Sequence, residues 1–448
     1  MNRTMRVERL SVSGVRPGEI VVATGVAHPE RGPVGSPAAP LLAAALGRGE
    51  PDPGGRRIRL HPMDGAAGAV GTGDAVLVMA SYLELDGRAV GLGAAAHADD
   101  RAAVDICAEL VAQWAGLLRS RRLLVAAPEP DCAGARAGVE TILRAARVAR
   151  REVPVHVYGR PVAAVDRIAR LAEAGVAFTD DLDAVPDGSV VAFPPHGVPL
   201  PVRAEAAARG LGVVDTTCPL AALAHRDVEA YAHRGDTVVL MTGARDTAGE
   251  WVSVSQAPES VLTMRNAAQA SDLQRFGVDP ERLSLVVQTG IPVDDAAGMI
   301  TALRDRYPRV RGQHYDALCY AATDRAAAVR SVAGAVDLTL VLGAADDPDA
   351  GQLEAEAAAG GRAVRRLAAA GELAAAWLTG VNAIGVVPAR SAPGALMLQV
   401  LDALAGLGPL SVTEREVRTA PRPAVGGGGG GRWAPPPGRP AAAAVGSG

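Results

Sequence analysis

From about residue 75 onward the chain alternates between two hydrophobic rhythms. Short, almost continuously apolar runs rich in Val, Leu and Ile predict strands at 75–79, 123–126, 153–157, 189–193, 212–214, 237–241, 283–287, 338–342 and 383–387. Between them, Ala-rich stretches with apolar residues at helical spacing predict helices over 137–148, 165–174, 221–232 and 294–306. Strand and helix in regular alternation predict a mainly parallel α/β protein. Residues 1–120 form an N-terminal extension with signals of their own: an apolar "EIVVATG", a Pro-rich "HPERGPVGSPAAP", then a helical "LLAAAL". The segment "GDAVLVMASYLELDGRAVGLG" predicts a strand pair turning at Asp86–Gly87, followed by a helix through residue 119. Beyond about residue 419 the Gly/Pro/Ala-rich composition predicts a disordered tail.

Composition narrows the function. The 448 residues carry 45 basic and 49 acidic side chains, a net charge of −4, so nucleic acid is an unsuitable partner. All the basic residues are Arg, and Phe, Tyr and Trp number only 3, 6 and 4, which leaves little for base stacking. The 49% hydrophobic content is ample for buried cores. No apolar run approaches the roughly 18–20 residues that span a bilayer, and the N-terminus lacks the apolar centre of a signal peptide. The expectation is a cytoplasmic protein with no membrane partner.

The four cysteines carry the candidate chemistry. Three follow a predicted strand and immediately precede a predicted helix: Cys132 after "RRLLVAA", Cys218 after "LGVVD", and Cys319 after "YDAL". A helix N-terminus offers free N–H groups and partial positive charge, which suit a thiolate. The three are spaced by about one small α/β unit each, so three lobes could aim one thiol apiece at a shared centre. Such a set suits a [4Fe-4S] cluster with one iron left free, or zinc with a fourth ligand; three small buried core residues would look the same. Cys107 differs, lying inside the amphipathic "DDRAAVDICAELVAQWAGLL", and reads as a core or partly exposed free thiol. Taken alone, His196 in "PPHGV" reads more readily as a turn histidine with its ring in solvent than as a site residue.

The strings "CAGARAG" at Cys132, "PPHGV" at His196, "DTTCPLAALAH" at Cys218, "QTGIPVDD" at Gln288, "CYAATDR" at Cys319 and "GVVPARSAPGAL" around Ser391 occur in an order and spacing that resembles the LytB/IspH family. The resemblance covers about residues 121–405. It implies three pseudo-symmetric α/β lobes, at 121–217, 218–315 and 316–408, around a central [4Fe-4S] cluster ligated by Cys132, Cys218 and Cys319, with a tail over 409–448. It implies reduction of 4-hydroxy-3-methylbut-2-enyl diphosphate to isopentenyl and dimethylallyl diphosphates in isoprenoid biosynthesis, with ferredoxin or flavodoxin supplying electrons. By the same resemblance His196 and Ser391 bind the diphosphate, and Thr289 sits beside the substrate hydroxyl.

Other positions depart from the family pattern. Its His-Asn pair aligns with Ala163–Ala164. Asp246 stands at a substrate-binding His, and Ala248 at the acidic residue that carries the proton, with Glu250 two positions along. Asp347–Pro348–Asp349 replace a Ser-Ser-Asn stretch of phosphate donors, Gly290 follows "QT" in place of Thr, and Asp324 replaces an Asn. Arg245 and Arg390 flank altered positions. These departures predict a kept cluster scaffold with a rebuilt diphosphate cage. They leave open a reductive dehydroxylase for a different substrate, or a non-catalytic iron–sulfur or redox-sensing protein.

Overall fold

A computed structural model describes residues 5–65, 73–84, 86–126, 131–149, 154–162, 164–243 and 247–419. The chain divides into two compact units, Met1–Pro130 with Ala328–Glu416, and Asp131–Ala327 with Val417–Gly448. The predicted disordered tail, from residue 420, lies outside the described residues.

The first unit holds two sheets. One is all parallel, in the order Ala363–Leu367, Leu338–Leu342, Ala383–Pro388, Arg121–Ala126, Leu410–Arg415. Its central strands are buried on both faces, which is why they read in the sequence as unbroken apolar runs. The strand Arg121–Ala126, which sequence order puts at the start of the first lobe, pairs instead between Ala383–Pro388 and Leu410–Arg415. A strand buried at five of six positions needs neighbours and cover on every side, and it finds them in the C-terminal sheet. The other sheet is six-stranded and mainly antiparallel, ordered Arg6–Val12, Ala75–Leu83, Ala89–His97, Gly32–Gly35, Glu19–His28, Arg57–Asp64. Its strand pair turns at Asp86–Gly87, as the sequence predicts.

A single apolar cluster joins the two sheets. Ile20, Val22, Leu92 and Ala94 of the six-stranded sheet pack in it with Leu123, Leu340, Leu342 and Ile384 of the parallel one. The helices Ala39–Gly47, Arg101–Ala115 and Gly394–Ala405 contribute Leu42, Leu46, Leu110, Trp114, Val400 and Leu404. The N-terminal extension is thus built onto the sheet of the third lobe and shares its core. Cys107 lies in this cluster, fully buried, and burial pushes its thiol up to about 12, so it is an inert core side chain.

One buried cation fastens the junction. Arg121 donates from its guanidinium to the carbonyls of Leu117 (2.7 Å) and Leu407 (3.2 Å), while its backbone N–H donates to Pro409 O (2.9 Å). The first carbonyl ends the helical stretch of the extension, and the second follows the last helix of the parallel sheet. Burial and the neighbouring Arg119 pull this guanidinium down to about 10, so it stays charged at neutral pH. Gly408 has φ +128°, and a Cβ there would fall 2.1 Å from Arg119 O, so only glycine lets the two segments meet.

The second unit contains two four-stranded parallel sheets. The first runs Gly212–Asp215, Val190–Phe193, Val155–Tyr158, Ala177–Thr179, and the second Val261–Met264, Thr237–Met241, Leu283–Val287, Arg311–Gly312. Each of these sheets, like the parallel sheet of the first unit, is flanked by helices. No helix among the described residues is long and apolar enough to cross a membrane.

The Arg121 junction is open to a direct test. Arg121→Met keeps the apolar stem but leaves the carbonyls of Leu117 and Leu407 without their charged donor, which should lower stability by about 2–4 kcal/mol in chemical denaturation. An unchanged midpoint would show that the extension is held by apolar packing alone.

Candidate functional site

Each of the three cysteines is found at a helix start in the second unit. Cys132 is the N-cap of Ala133–Val148, and its sulfur accepts the Ala135 N–H at 3.4 Å. Cys218 is the N-cap of Pro219–His233, with Pro219 at the favoured first position and the Cys218 N–H donated to Pro195 O at 2.8 Å. Cys319 lies two residues before Ala321–Ala333, and its sulfur takes N–H groups from Ala321 and Gly290.

Two glycines let the first helix come close to the second cysteine. A Cβ at Gly134 would stand 2.7 Å from Cys218 Sγ and 3.9 Å from Cys132 Sγ, so the two sulfurs are no further apart than the sum of those distances. A Cβ at Gly138 would stand 2.8 Å from Pro195 Cγ and 3.2 Å from Thr216 Oγ1. Four residues apart, the two glycines share one helix face, and that bare face receives the loop carrying Cys218.

The Cys218 loop is held from behind by a polar network. Asp215 accepts from the N–H (2.9 Å) and hydroxyl of Thr217, and Arg203 pairs with Asp215 (2.7 Å) and donates to Thr217 Oγ1 (3.1 Å). The guanidinium also lies over the Phe193 ring. The Cys319 loop is held differently: the Val293 N–H donates to Thr323 Oγ1 at 2.7 Å, tying "QTGIPVDD" to the helix of "CYAATDR". That tie brings Gly290, and Thr289 before it, to the third cysteine.

Electrostatics makes the thiol group incomplete by itself. Burial pushes the Cys319 thiol up; the N–H of Ala321 pulls it down, the sulfurs of Cys132 and Cys218 push it up again, and the Gly290 N–H offsets part of this. Burial and the neighbouring sulfurs thus disfavour a Cys319 thiolate without a positive partner. Among the described residues no group of three or more His, Cys, Asp or Glu lies placed to hold a single metal ion. A cubane cluster asks for wider spacing, because each thiolate ligates a different iron. Three helix N-termini, a glycine face and a half-buried thiol set fit such a cluster.

The other sequence-predicted residues divide between the units. His196 turns the chain after Val190–Phe193, and its Cε1 would stand 4.0 Å from a Cβ on Gly290, so it lies on the side of the Cys319 loop. Thr289 is half-buried next to Gly290. Ser391 belongs to the first unit, where its hydroxyl donates to the Asp347 carboxylate. Arg390 pairs with Asp349, through its N–H at 2.7 Å and its guanidinium at 3.5 Å. Asp324 accepts the N–H (2.9 Å) and hydroxyl (2.6 Å) of Thr419. Glu250 has both carboxylate oxygens held by Arg265, which makes it a poor stand-in for the missing proton carrier. Ala163, Arg245 and Asp246 lie outside the described residues, as does the side chain of Ala248.

Sequence reading missed His225, two helical turns beyond Cys218. Its Cε1 would stand 3.1 Å from a Cβ on Gly197, and burial, helped by Arg203 and His196, lowers its pKa to about 4, so it is neutral at pH 7. Its signal was the last residue of "DTTCPLAALAH", seven positions from the cysteine and hence on the same helix face.

The described residues thus form parallel α/β sheets with three thiols at helix N-termini. A family model described as LytB protein matches residues 123–405. The 4-hydroxy-3-methylbut-2-enyl diphosphate reductase 1 of Mycobacterium tuberculosis is 37% identical over 305 residues, covering 66% of this chain and 90% of that protein. The 4-hydroxy-3-methylbut-2-enyl diphosphate reductase of Xanthomonas oryzae is 36% identical over 299 residues, covering 66% and 93%. The fold is also that of the E-1-hydroxy-2-methyl-but-2-enyl-4-diphosphate reductase of Plasmodium falciparum, with TM-score 0.58, 23% identity, and coverage of 68% of this chain and 95% of that one. The chain belongs to the LytB family.

The glycine face makes a sharp prediction. By helix propensity alone Gly134→Ala should stabilise the protein by up to about 1 kcal/mol, but the added methyl meets Cys218 and should instead destabilise it by about 1–3 kcal/mol. Gly298→Ala, in a helix with nothing within 4 Å of the new Cβ, is the control and should stabilise. Thermal unfolding of both variants checks this; equal stabilisation would mean that the helix does not abut Cys218.

Proposed function

We propose that the chain is an iron–sulfur reductive dehydroxylase of the cytoplasm, acting on an allylic alcohol of the isoprenoid type. The observation that carries this reading is the convergence of Cys132, Cys218 and Cys319, each at a helix N-terminus, in a chain of the LytB family. The reaction adds two electrons and two protons to the substrate, breaks one C–O bond, forms one C–H bond and releases water. A [4Fe-4S] cluster, when bound, supplies electrons one at a time and an iron position open to the substrate oxygen. A ferredoxin or flavodoxin is the electron donor that this chemistry and the family resemblance favour.

The chain's own residues do the rest. The N–H group of Ala135 faces the sulfur of Cys132, those of Ala321 and Gly290 face the sulfur of Cys319, and all three cysteines lie at helix N-termini, which favour thiolates. Thr289, beside the Gly290 loop, orients the substrate hydroxyl. His196, on the same side, is the described group best placed to bind an anionic head or to pass a proton. The half-buried, neutral His225 behind Gly197 keeps positive charge off that wall.

The same residues argue that the diphosphate named for the relatives is a poor substrate here. The proton carrier's position holds Ala248, and Glu250 is committed to Arg265. Loss of a proton donor costs a factor of about 100–10,000. With a chemical reductant, turnover of 4-hydroxy-3-methylbut-2-enyl diphosphate should therefore fall at least about 100-fold below that of an ordinary family member. Replacing Cys132, Cys218 or Cys319 by Ser should remove most of the iron and sulfide from anaerobically purified protein, while Cys107→Ser should leave both in place. Equal iron loss in the Cys107 variant would overturn the ligand set, and full turnover of the diphosphate would overturn the reading of the proton path.

A further inference from the structure

The second unit exposes two large aromatic side chains in one place. Trp251, on the helix Thr247–Val254, and Phe276, at the end of the short 3-10 helix Asp272–Phe276, are 64% and 65% exposed, in a chain with only 4 Trp and 3 Phe. They line one groove of about 480 Å³, together with Val254, Val261, Leu262 and Leu273. Val261 and Leu262 belong to Val261–Met264, an edge strand that pairs, among the described residues, only with Thr237–Met241. Glu250 and Arg265 also line the groove and pair with one another. Single exposed apolar residues are ordinary, but two aromatics beside an open strand edge in one concave place are the elements of a peptide-docking groove.

We propose that the chain's own Pro-rich segment 432–440, "RWAPPPGRP", docks in this groove. Its chemistry suits the site. Pro435, Pro436, Pro437 and Pro440 preset the extended polyproline conformation that aromatic-lined grooves bind at low entropic cost. Its reach suits the site as well, because Thr419, the last described residue, is fastened to Asp324 of the same unit by its N–H (2.9 Å) and hydroxyl (2.6 Å). From that anchor about 15 residues of extended chain span up to about 50 Å. A domain of about 200 residues has a radius of gyration of about 16 Å and is about 42 Å across, so the segment reaches most of the unit's surface. Charge points the same way: the chain beyond Thr419 carries Arg422, Arg432 and Arg439 and no Asp or Glu, whereas residues 247–282, which build the groove, carry five carboxylates against three arginines. Tethering holds the segment at a local concentration on the order of 1 mM, which keeps even a weak site filled. This docking does not depend on what the three thiols hold.

The test is fluorine NMR of the full chain labelled with 5-fluorotryptophan, with Trp251→Phe assigning the Trp251 signal. The displacement of that signal between H2O and D2O reports how far its ring is open to solvent. Replacing Pro435, Pro436 and Pro437 together by Gly alters only positions beyond the last described residue. It should raise the displacement at Trp251 at least about twofold over wild type. A synthetic peptide of residues 430–442, added in excess to that triple variant, should bind and bring the displacement back down. Phe276→Ser, at an exposed position, should lose both the protection of Trp251 and the binding of the peptide while circular dichroism stays unchanged. Equal displacement in wild type and the triple variant, or peptide binding that survives Phe276→Ser, overturns the proposal. A wild-type signal that moves on dilution places the segment of a second copy in the groove and overturns it too. Should Phe276→Ser unfold, the triple variant and the peptide carry the test.

Discussion

Three half-buried sulfurs stand at or just before the starts of three helices, and as anions they would repel one another. Two like unit charges about 4 Å apart repel by roughly 4 kcal/mol at an effective dielectric near 20. Helix N-termini and a few N–H groups would offset part of this repulsion, and the proposed cationic cluster would offset the remainder. The requirement explains features that otherwise look unrelated. Each cysteine precedes a helix, the Cys132 helix is stripped to Gly134 and Gly138 where the Cys218 loop meets it, and Asp215, Arg203 and Thr217 brace that loop from the far side. The Thr323 hydroxyl performs the same service for the Cys319 loop.

Much of this was legible in the sequence, and the reason is burial. Strands covered on both faces, such as Thr237–Met241, Leu283–Val287 and Leu338–Leu342, carry unbroken apolar runs and sit where the pattern puts them. Edge strands do not. Ala363–Leu367 ("AVRRL") and Leu410–Arg415 ("LSVTER") face solvent along most of their length, so their composition gives no strand signal. Pairing was also hidden, because the partners of Arg121–Ala126 lie more than two hundred residues away and nothing local specifies them. In the site, the cysteines were visible because strand, thiol and helix follow one another. His225 and the Arg203 network were not, since their roles depend on which loops fold back onto the Cys218 helix.

The N-terminal extension has a physical role that its sequence concealed. By sharing a core with the parallel sheet it covers apolar residues such as Leu123, Leu340 and Ile384, and Arg121 ties the two parts at Leu117 and Leu407. The same unit holds Ser391 in the grip of Asp347.

The central claim, that the three thiols hold a cluster of four irons with one iron not bound by cysteine, is tested most directly by Mössbauer spectroscopy of anaerobically prepared, iron-57-enriched protein. The account predicts a [4Fe-4S] spectrum in which one iron is distinguishable from the other three, because Cys132, Cys218 and Cys319 leave it a different ligand. A spectrum with four equivalent irons, or a colourless protein containing zinc in place of iron and sulfide, would contradict it.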